Sequence, residues 1–320
     1  SMIIRSTSGL FWSGNNNMTW KKLGLVYVPD GTERLGRTHA SLPVPIQIDE
    51  CVYRVFFASR DDRNYSHIWS IDVELSCEKP KVLSRSSTPV LKPGPIGHFD
   101  DCGVYPSSIV KVDDTLFLYY IGWVTGATSP VFYTNVGLAV SEDNGETFER
   151  YSFAPILGRD KIDPWMVTSS FVLAEEISYK MWYVGGSHWD NKVSPWQSYY
   201  QIKYAESTDG IRWNKTGHVC IPLTEGEHNV SRTCVIPMKG GYEAWYGVNA
   251  GEGYRIGYAK SHDGLDWFRR DEEAGIFLSD SGWDSETQSY PYVIDSDFGR
   301  FMFYNGNSFG RSGLGLAIWG

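Results

Sequence analysis

The sequence predicts an all-β fold built from five copies of a four-stranded unit. The first observation is a recurring phrase: LAVSEDNGETF at 138–148, YAESTDGIRW at 204–213 and YAKSHDGLDW at 258–267. Each copy runs from small or apolar alternation to Ser, Asp, Gly and an aromatic residue. The copies return at intervals of roughly 50–65 residues, the spacing of a repeat architecture. The second observation is what surrounds them, short runs rich in Val, Ile, Tyr, Phe and Trp bounded by Gly, Asp, Asn and Pro, which is the signal of strands and turns. The third is aromatic weight. Aromatics are 15% of the 320 residues, with 13 Trp and 20 Tyr, which favours strands and packing between sheets. Aromatic faces also stack on the apolar face of a sugar ring, so carbohydrate is a candidate partner.

Taken in order, the first unit reads SLPVPIQI (41–48), YRVFFAS (53–59), HIWSIDVEL (67–75) and PKVLS (80–84). The second reads VYPSSIVKV (104–112) and TLFLYYIGW (115–123), then the 138–148 phrase, with Phe148 opening the fourth strand. The third has VTSSFVL (167–173), YKMWYVGG (179–186) and Trp213 in the aromatic slot. The fourth has SRTCVIPM (231–238), YEAWYGVN (242–249) and Trp267. The fifth has QSYPYVI (288–294), RFMFYNGN (300–307) and GLGLAIW (313–319), and no fourth strand before Gly320. MTWKKLGLVYVP (18–29) matches IRWNKTGHVCIP (211–222) and places Trp20 in the aromatic slot. The N-terminal strand is therefore expected to complete the last unit, which ties the chain into a ring with only short edges. The predicted architecture is a five-bladed β-propeller in one domain, 1–320. Its blades span approximately 39–84, 101–152, 163–217, 228–271, and 284–319 plus 18–29.

In this architecture the repeated phrase is the corner between the third and fourth strands of a blade. Asp143, Asp209 and Asp263 suit tight turns, where Asp and Gly serve the backbone. They also lie on the face opposite the starts of the inner strands.

Composition excludes several partners. The net charge is −9, the pI about 5.3, and Lys and Arg form no block. Nucleic acid and anionic membrane surfaces are therefore not expected partners. No apolar run approaches the roughly 18 residues of a membrane span. The start, SMIIRSTSGLFW, lacks a secretory apolar core, and Ser1 ahead of Met2 reads as an added residue. Cysteines 51, 77, 102, 220 and 234 are an odd number without metal-type spacing and read as reduced thiols. The expectation is a cytoplasmic protein, or a secreted one if a signal peptide has been removed.

A propeller's ligand usually binds over the axis, where the inner strands begin. The lead-ins there supply His39 in the first unit, Asp100, Asp101 and Tyr105 in the second, and Asp163 and Trp165 in the third. The fourth supplies Glu227, His228 and Arg232, and the fifth Asp284, Glu286 and Tyr290. The connection after the second strand adds Arg60, Trp123, His188 and Trp189 on the same face. Converging carboxylates suit glycoside hydrolysis, in which one acid protonates the leaving oxygen and a carboxylate activates water or attacks. Asp101, Asp163 and Glu286 are the candidate catalytic acids; the other reading of each is a loop carboxylate satisfied by backbone N–H groups. His39, Arg60, Tyr105, Trp165, His188, Arg232 and Tyr290 are the candidate substrate-binding residues. Arg232 can equally hold a neighbouring carboxylate, and the tryptophans can equally pack under loops. No cofactor or metal is expected. A cation on the axis is left open, and no His/Cys/Asp cluster has spacing that demands one.

The DCGVYPSS segment, the IDPW segment, and GWDSETQSYPYV followed by FMFYNGN together resemble the five-bladed glycosidase superfamily that includes glycoside hydrolase families 43, 32, 68 and 130. The resemblance covers almost the whole chain. It implies a first-blade Asp as base or nucleophile, a middle-blade Asp as transition-state stabiliser and a Glu of the following blade as acid. Asp163 matches the middle Asp best, and Asp101 comes next. His39 stands where the first-blade Asp is expected, which leaves Glu286, Glu227 and His39 as candidate acids. The resemblance implies an enzyme that cleaves or transfers a glycosyl unit, with inversion the expected outcome by analogy with family 43. The alternatives are a non-catalytic carbohydrate-binding propeller in polysaccharide metabolism, and a glycoside phosphorylase with a phosphate site drawn from Arg60, Arg232 and His188.

Overall fold

The computed structural model describes residues 19–76 and 78–320. The readings of the N-terminal dozen residues, of Met18 and of Cys77 lie outside the described residues. The chain opens with β1 (Trp20–Tyr27) and continues through a first group, β2 (Thr38–Gln47), β3 (Val52–Arg60), β4 (Ser66–Glu74) and β5 (Lys81–Arg85). The second group is β6 (Gly103–Val112), β7 (Thr115–Thr125), β8 (Phe132–Ser141) and β9 (Glu149–Arg150). The third is β10 (Val167–Ala174), β11 (Tyr179–Asp190), β12 (Gln197–Ser207) and β13 (Asn214–Ile221). The fourth is β14 (Asn229–Met238), β15 (Gly241–Asn249), β16 (Tyr254–Ser261) and β17 (Trp267–Arg269). The chain ends with β18 (Ser289–Ser296), β19 (Gly299–Asn305) and β20 (Leu314–Trp319).

Within each group every strand pairs antiparallel with the next. β1 pairs antiparallel with β20, Trp20 opposite Trp319, which gives the order β1-β20-β19-β18. Single parallel pairs, Ser66 with Gly103 and Tyr200 with Asn229, join neighbouring groups, so hydrogen bonding gathers the strands into three open sheets. The first strands of the groups sit side by side: β2 against β6, β6 against β10, β10 against β14, β14 against β18, and β18 against β2. Close approach at these seams selects small polar residues. Ser107 Oγ takes the Ser170 N–H at 2.6 Å, and Ser108 Oγ takes the Val172 N–H at 3.2 Å. Large aromatics fill the outer space. Trp182 and Trp245 are buried, and Trp20 contacts Trp245 and Trp319 at centroid distances of 5.5 and 5.0 Å.

The repeated phrase forms tight turns. Asp143 Oδ1 accepts from Ser141 Oγ (2.7 Å) and Thr147 N (3.0 Å), while Ser141 Oγ accepts from Gly145 N (2.9 Å). Asp209 takes the N–H groups of Ile211 and Arg212, and Asp263 those of Leu265 and Asp266. The N–H donors at this corner have no ladder partner, so the carboxylate replaces one. Asp209→Asn and Asp263→Asn are expected to lower stability by about 0.5–2 kcal/mol, as loss of a cap does. Ligand affinity should stay unchanged. Chemical denaturation alongside a binding isotherm checks both halves.

Candidate functional site

Each first strand carries an irregularity near its start, and this builds the site. The ladder slips between Ser41 and Val44 in β2, Pro106 and Ser108 in β6, and Val167 and Ser170 in β10. It slips again between Ser231 and Cys234 in β14 and between Ser289 and Tyr292 in β18. A bulge re-aims side chains at a sheet end. Leu42, Arg232 and Tyr290 sit within these slips at φ of 55°, 30° and 55°, a left-handed conformation that costs a non-glycine residue energy.

Between the strand starts lies a cavity of about 510 Å³. All five first strands line it, through Leu42, Tyr105, Thr168, Arg232 and Tyr290 among others. Arg60, Trp123 and Tyr200 add walls, and the β7–β8 connection from Gly126 to Val131 forms one side. Tyr200 shares a hydrogen bond with the Tyr254 hydroxyl, whose ring lies against Tyr290 and Phe309. The lining is aromatic, aliphatic and hydroxylic, with two guanidinium groups and no carboxylate among the described residues.

The candidate acids are placed elsewhere. Asp163 is fully buried and ion-paired: Lys203 Nζ lies 2.7 Å and Lys215 Nζ 3.1 Å from its oxygens, and Tyr183 donates to it at 2.7 Å. Asp101 Oδ2 accepts from the Gly97 N–H at 2.7 Å, closing its own loop. Glu286 is exposed, with its backbone N–H on Asn307 Oδ1. None of the three lines the cavity, so the expected meeting of their carboxyl groups over the axis is corrected. For Asp163 the physical reason is a recurring clamp. Asp100, Asp163 and Asp284 precede the first strands of three groups. Each accepts a hydrogen bond from a buried tyrosine 20 residues later, Tyr120, Tyr183 and Tyr304. Each also takes a cation from the outermost strand: Arg150, Lys215 and Lys22. The fourth group varies the theme, with Arg269 bridging Glu227 and Asp271, and Tyr246 donating to Asp271. Burial works to raise the pKa of Asp284, but hydrogen bonds from Lys22, Ser279 and Tyr304 outweigh it and hold the carboxyl below its ordinary range.

Among the expected binding residues, Arg60, Tyr105, Arg232 and Tyr290 line the cavity. His39, Trp165 and His188 do not. Trp165 is exposed, and His188 stacks on Tyr199 at 4.3 Å. His39 is buried with Nδ1 2.9 Å from Thr38 Oγ1. Burial, helped by the Arg60 and Arg311 guanidinium groups, pushes its pKa down to about 4. His39 is thus neutral near pH 7, which suits neither a proton donor nor a phosphate ligand. Its folded pKa lies below the unfolded 6.5, so only the unfolded chain takes up this proton between those values. That contribution to stability is complete above pH 6.5 and is lost as pH falls toward 4, about 1–2 kcal/mol after solvent screening. Asn tolerates the left-handed φ of this position. His39→Asn should flatten that segment of the pH–stability curve relative to wild type, which urea unfolding at pH 4.5 and 7.5 checks.

Sequence reasoning missed Leu42, Thr168 and Tyr200, and the β7–β8 wall. The bulge signal was present: Leu42-Pro43, Pro106-Ser107, Ser169-Ser170, Arg232-Thr233 and Tyr290-Pro291 occupy one register. Among the described residues no group of three His, Cys, Asp or Glu could hold a metal ion, and no helix is long and apolar enough to cross a membrane.

No protein-family model matches the chain. "Uncharacterized protein MT1551" of Mycobacterium tuberculosis is 38% identical over 302 residues, 94% of this chain and 99% of the relative. Solved structures share the fold. One is a glycosyl hydrolase from Bacteroides ovatus, with TM-score 0.67, 14% identity, and coverage of 94% of this chain and 93% of that one. Another comes from work on the GH130 mannoside phosphorylases, a family containing glycoside hydrolases that target beta-1,2 mannosidic linkages. Its TM-score is 0.71, with 14% identity and coverage of 98% of this chain and 96% of that one. The fold is that of the propeller glycosidase families, as the resemblance in sequence implied.

Proposed function

The chain belongs to the same family as the mycobacterial protein that it matches along nearly its whole length, and from that premise we propose that it is a glycosidase-like propeller that binds carbohydrate in its axial cavity. In this reading the five groups of strands are the five blades of one domain, closed by β1 on the last. The observation that carries the reading is the cavity itself. It sits where all five first strands begin, it has the volume of a small-ligand site, and its lining pairs aromatic rings with hydroxyl and guanidinium donors. Aromatic faces and fixed donors are the two components of sugar recognition. Tyr105, Tyr290 and Trp123 are the stacking surfaces, and Arg60 and Arg232 the cationic groups. Expected partners are carbohydrates.

Binding without the three-carboxylate mechanism is the form that the geometry supports. An acid and a base must flank the scissile bond; Asp101 and Asp163 are turned to other tasks, and Glu286 does not line the cavity. A second reading, glycosyl cleavage or transfer in the same cavity, is favoured by the fold alone. Fold analogy does not supply chemistry.

A glycan array followed by product analysis separates the readings. Binding with the glycan recovered intact supports a binding protein. Turnover of the bound glycan supports an enzyme, and phosphate dependence of that turnover a phosphorylase. The absence of binding to every glycan contradicts both.

A further inference from the structure

Arg232 is the feature that neither the fold nor the binding reading explains. It lies within the β14 bulge, lines the cavity and is 1% exposed. One terminal nitrogen donates to the carbonyl oxygens of Pro43 (2.9 Å) and Ser107 (3.0 Å), across the axis in the first and second groups. Its guanidinium carbon lies over the Tyr292 ring, 5.3 Å from the ring centre. Its Nε and its other terminal nitrogen are buried and have no hydrogen-bond partner among the described residues. Among the described residues no carboxylate pairs with it, whereas the buried cations of the clamps each face an acid.

A guanidinium stays charged throughout the working pH range, and burying one without an anion is costly. Carbonyl dipoles and a ring face compensate only part of that cost. The charge therefore stands without a counter-ion among the described residues in a low-dielectric floor beneath the cavity, where its field is screened far less than at the surface. Arg60 adds a second guanidinium on the wall, 6.0 Å from the centre of the Tyr105 ring and with a buried, unpartnered Nε. With no acid among the described lining residues, the cavity is electropositive even though the chain carries a net charge of −9. A concave site with one sign of charge and low-dielectric walls concentrates ligands of the opposite sign.

We propose that the axial cavity selects sugars bearing an anionic group, a carboxylate or a phosphate, through the uncompensated charge of Arg232 seconded by Arg60. The proposal rests on the reading of the cavity as a carbohydrate site and specifies the class of sugar. The anionic group sits toward the floor, where it supplies the counter-charge that the fold omits, and the pyranose ring lies between the aromatic walls.

The test uses matched pairs that differ in charge. Calorimetry on the full chain compares glucuronate with its methyl ester, and glucose 6-phosphate with glucose. The expected result is at least tenfold tighter binding of the anionic member of one pair. The pair that shows it separates a uronate from a phosphorylated sugar. Arg232→Met, which keeps the bulk and removes the charge, should reduce the preference to near unity without lowering the melting temperature. Arg232→Lys should retain part of the preference. If Arg232→Met does not fold, the wild-type pairs and Arg232→Lys decide. Equal affinities within both pairs, with binding still lost when Thr168→Trp fills the cavity, overturn the inference and leave the carbohydrate reading intact. A preference that persists in a folded Arg232→Met also overturns it. Absence of binding by all four compounds counts against the inference, while the glycan array alone decides the carbohydrate reading.

Discussion

Deleting residues 1–28 is expected to leave an insoluble or unfolded chain, although most of the sequence would remain. The loss removes β1, the partner of β20, and exposes a ladder of unpaired backbone groups on the terminal sheet. Exposed edges of this kind recruit other chains. It also removes Trp20, which is 5% exposed between Trp245 and Trp319. Trp20→Ala alone should cost about 3–5 kcal/mol, as deletion of a buried aromatic does. The deletion further takes away Lys22, whose Nζ lies 2.7 Å from Asp284, and leaves that carboxylate buried without its cation. Soluble yield and thermal melting check this. A truncated protein that melts with the wild type would show that β1 does not close the structure.

Asp163→Ala is expected to be the most destabilising single change at an acidic residue, about 3–5 kcal/mol, because breaking a buried ion pair strands the partner charge. Lys203 loses the carboxylate 2.7 Å away, and Tyr183 loses its acceptor in a buried site. Lys215 keeps Asp160 at 2.9 Å, which limits the damage on that side. Asp101→Ala should cost far less, since it removes a loop contact at a partly exposed position. Chemical denaturation of the two variants decides between a clamp and a catalytic acid. A catalytic Asp163 would lose turnover with stability unchanged or improved. A clamp loses stability.

The fold was legible because its signals repeat. Alternation, turn residues and aromatic slots recur in each group, and the match of Trp20 to Trp213 identified the strand that pairs with β20. The same repetition misdirected the reading of the acids. Asp163 stood out as a carboxylate at the start of an inner strand. However, Phe99-Asp100, Ile162-Asp163 and Trp283-Asp284 share that register, each with Tyr 20 residues on. A constellation that returns in several units serves the unit. A catalytic group has to break the repeat, because chemistry is asymmetric about the axis. Arg232 does break it: Leu42, Pro106, Ser169 and Tyr290 occupy the equivalent positions, and only the fourth group places a charge there. Its lack of an acidic partner among the described residues was not legible, since sequence shows which residues reach the axis but not which of them meet. The cavity walls from the β7–β8 connection were hidden for the same reason.

The central claim is that carbohydrate occupies the axial cavity. A crystal soaked with the tightest-binding glycan of the array tests it most directly. The expected result is a sugar ring between Tyr105 and Tyr290, above Arg232 and Thr168, with the Asp163 clamp intact and remote from the glycosidic oxygen. A glycan bound at the Asp143, Asp209 or Asp263 turns, or an axial cavity left empty beside a glycan bound on another face, would contradict it.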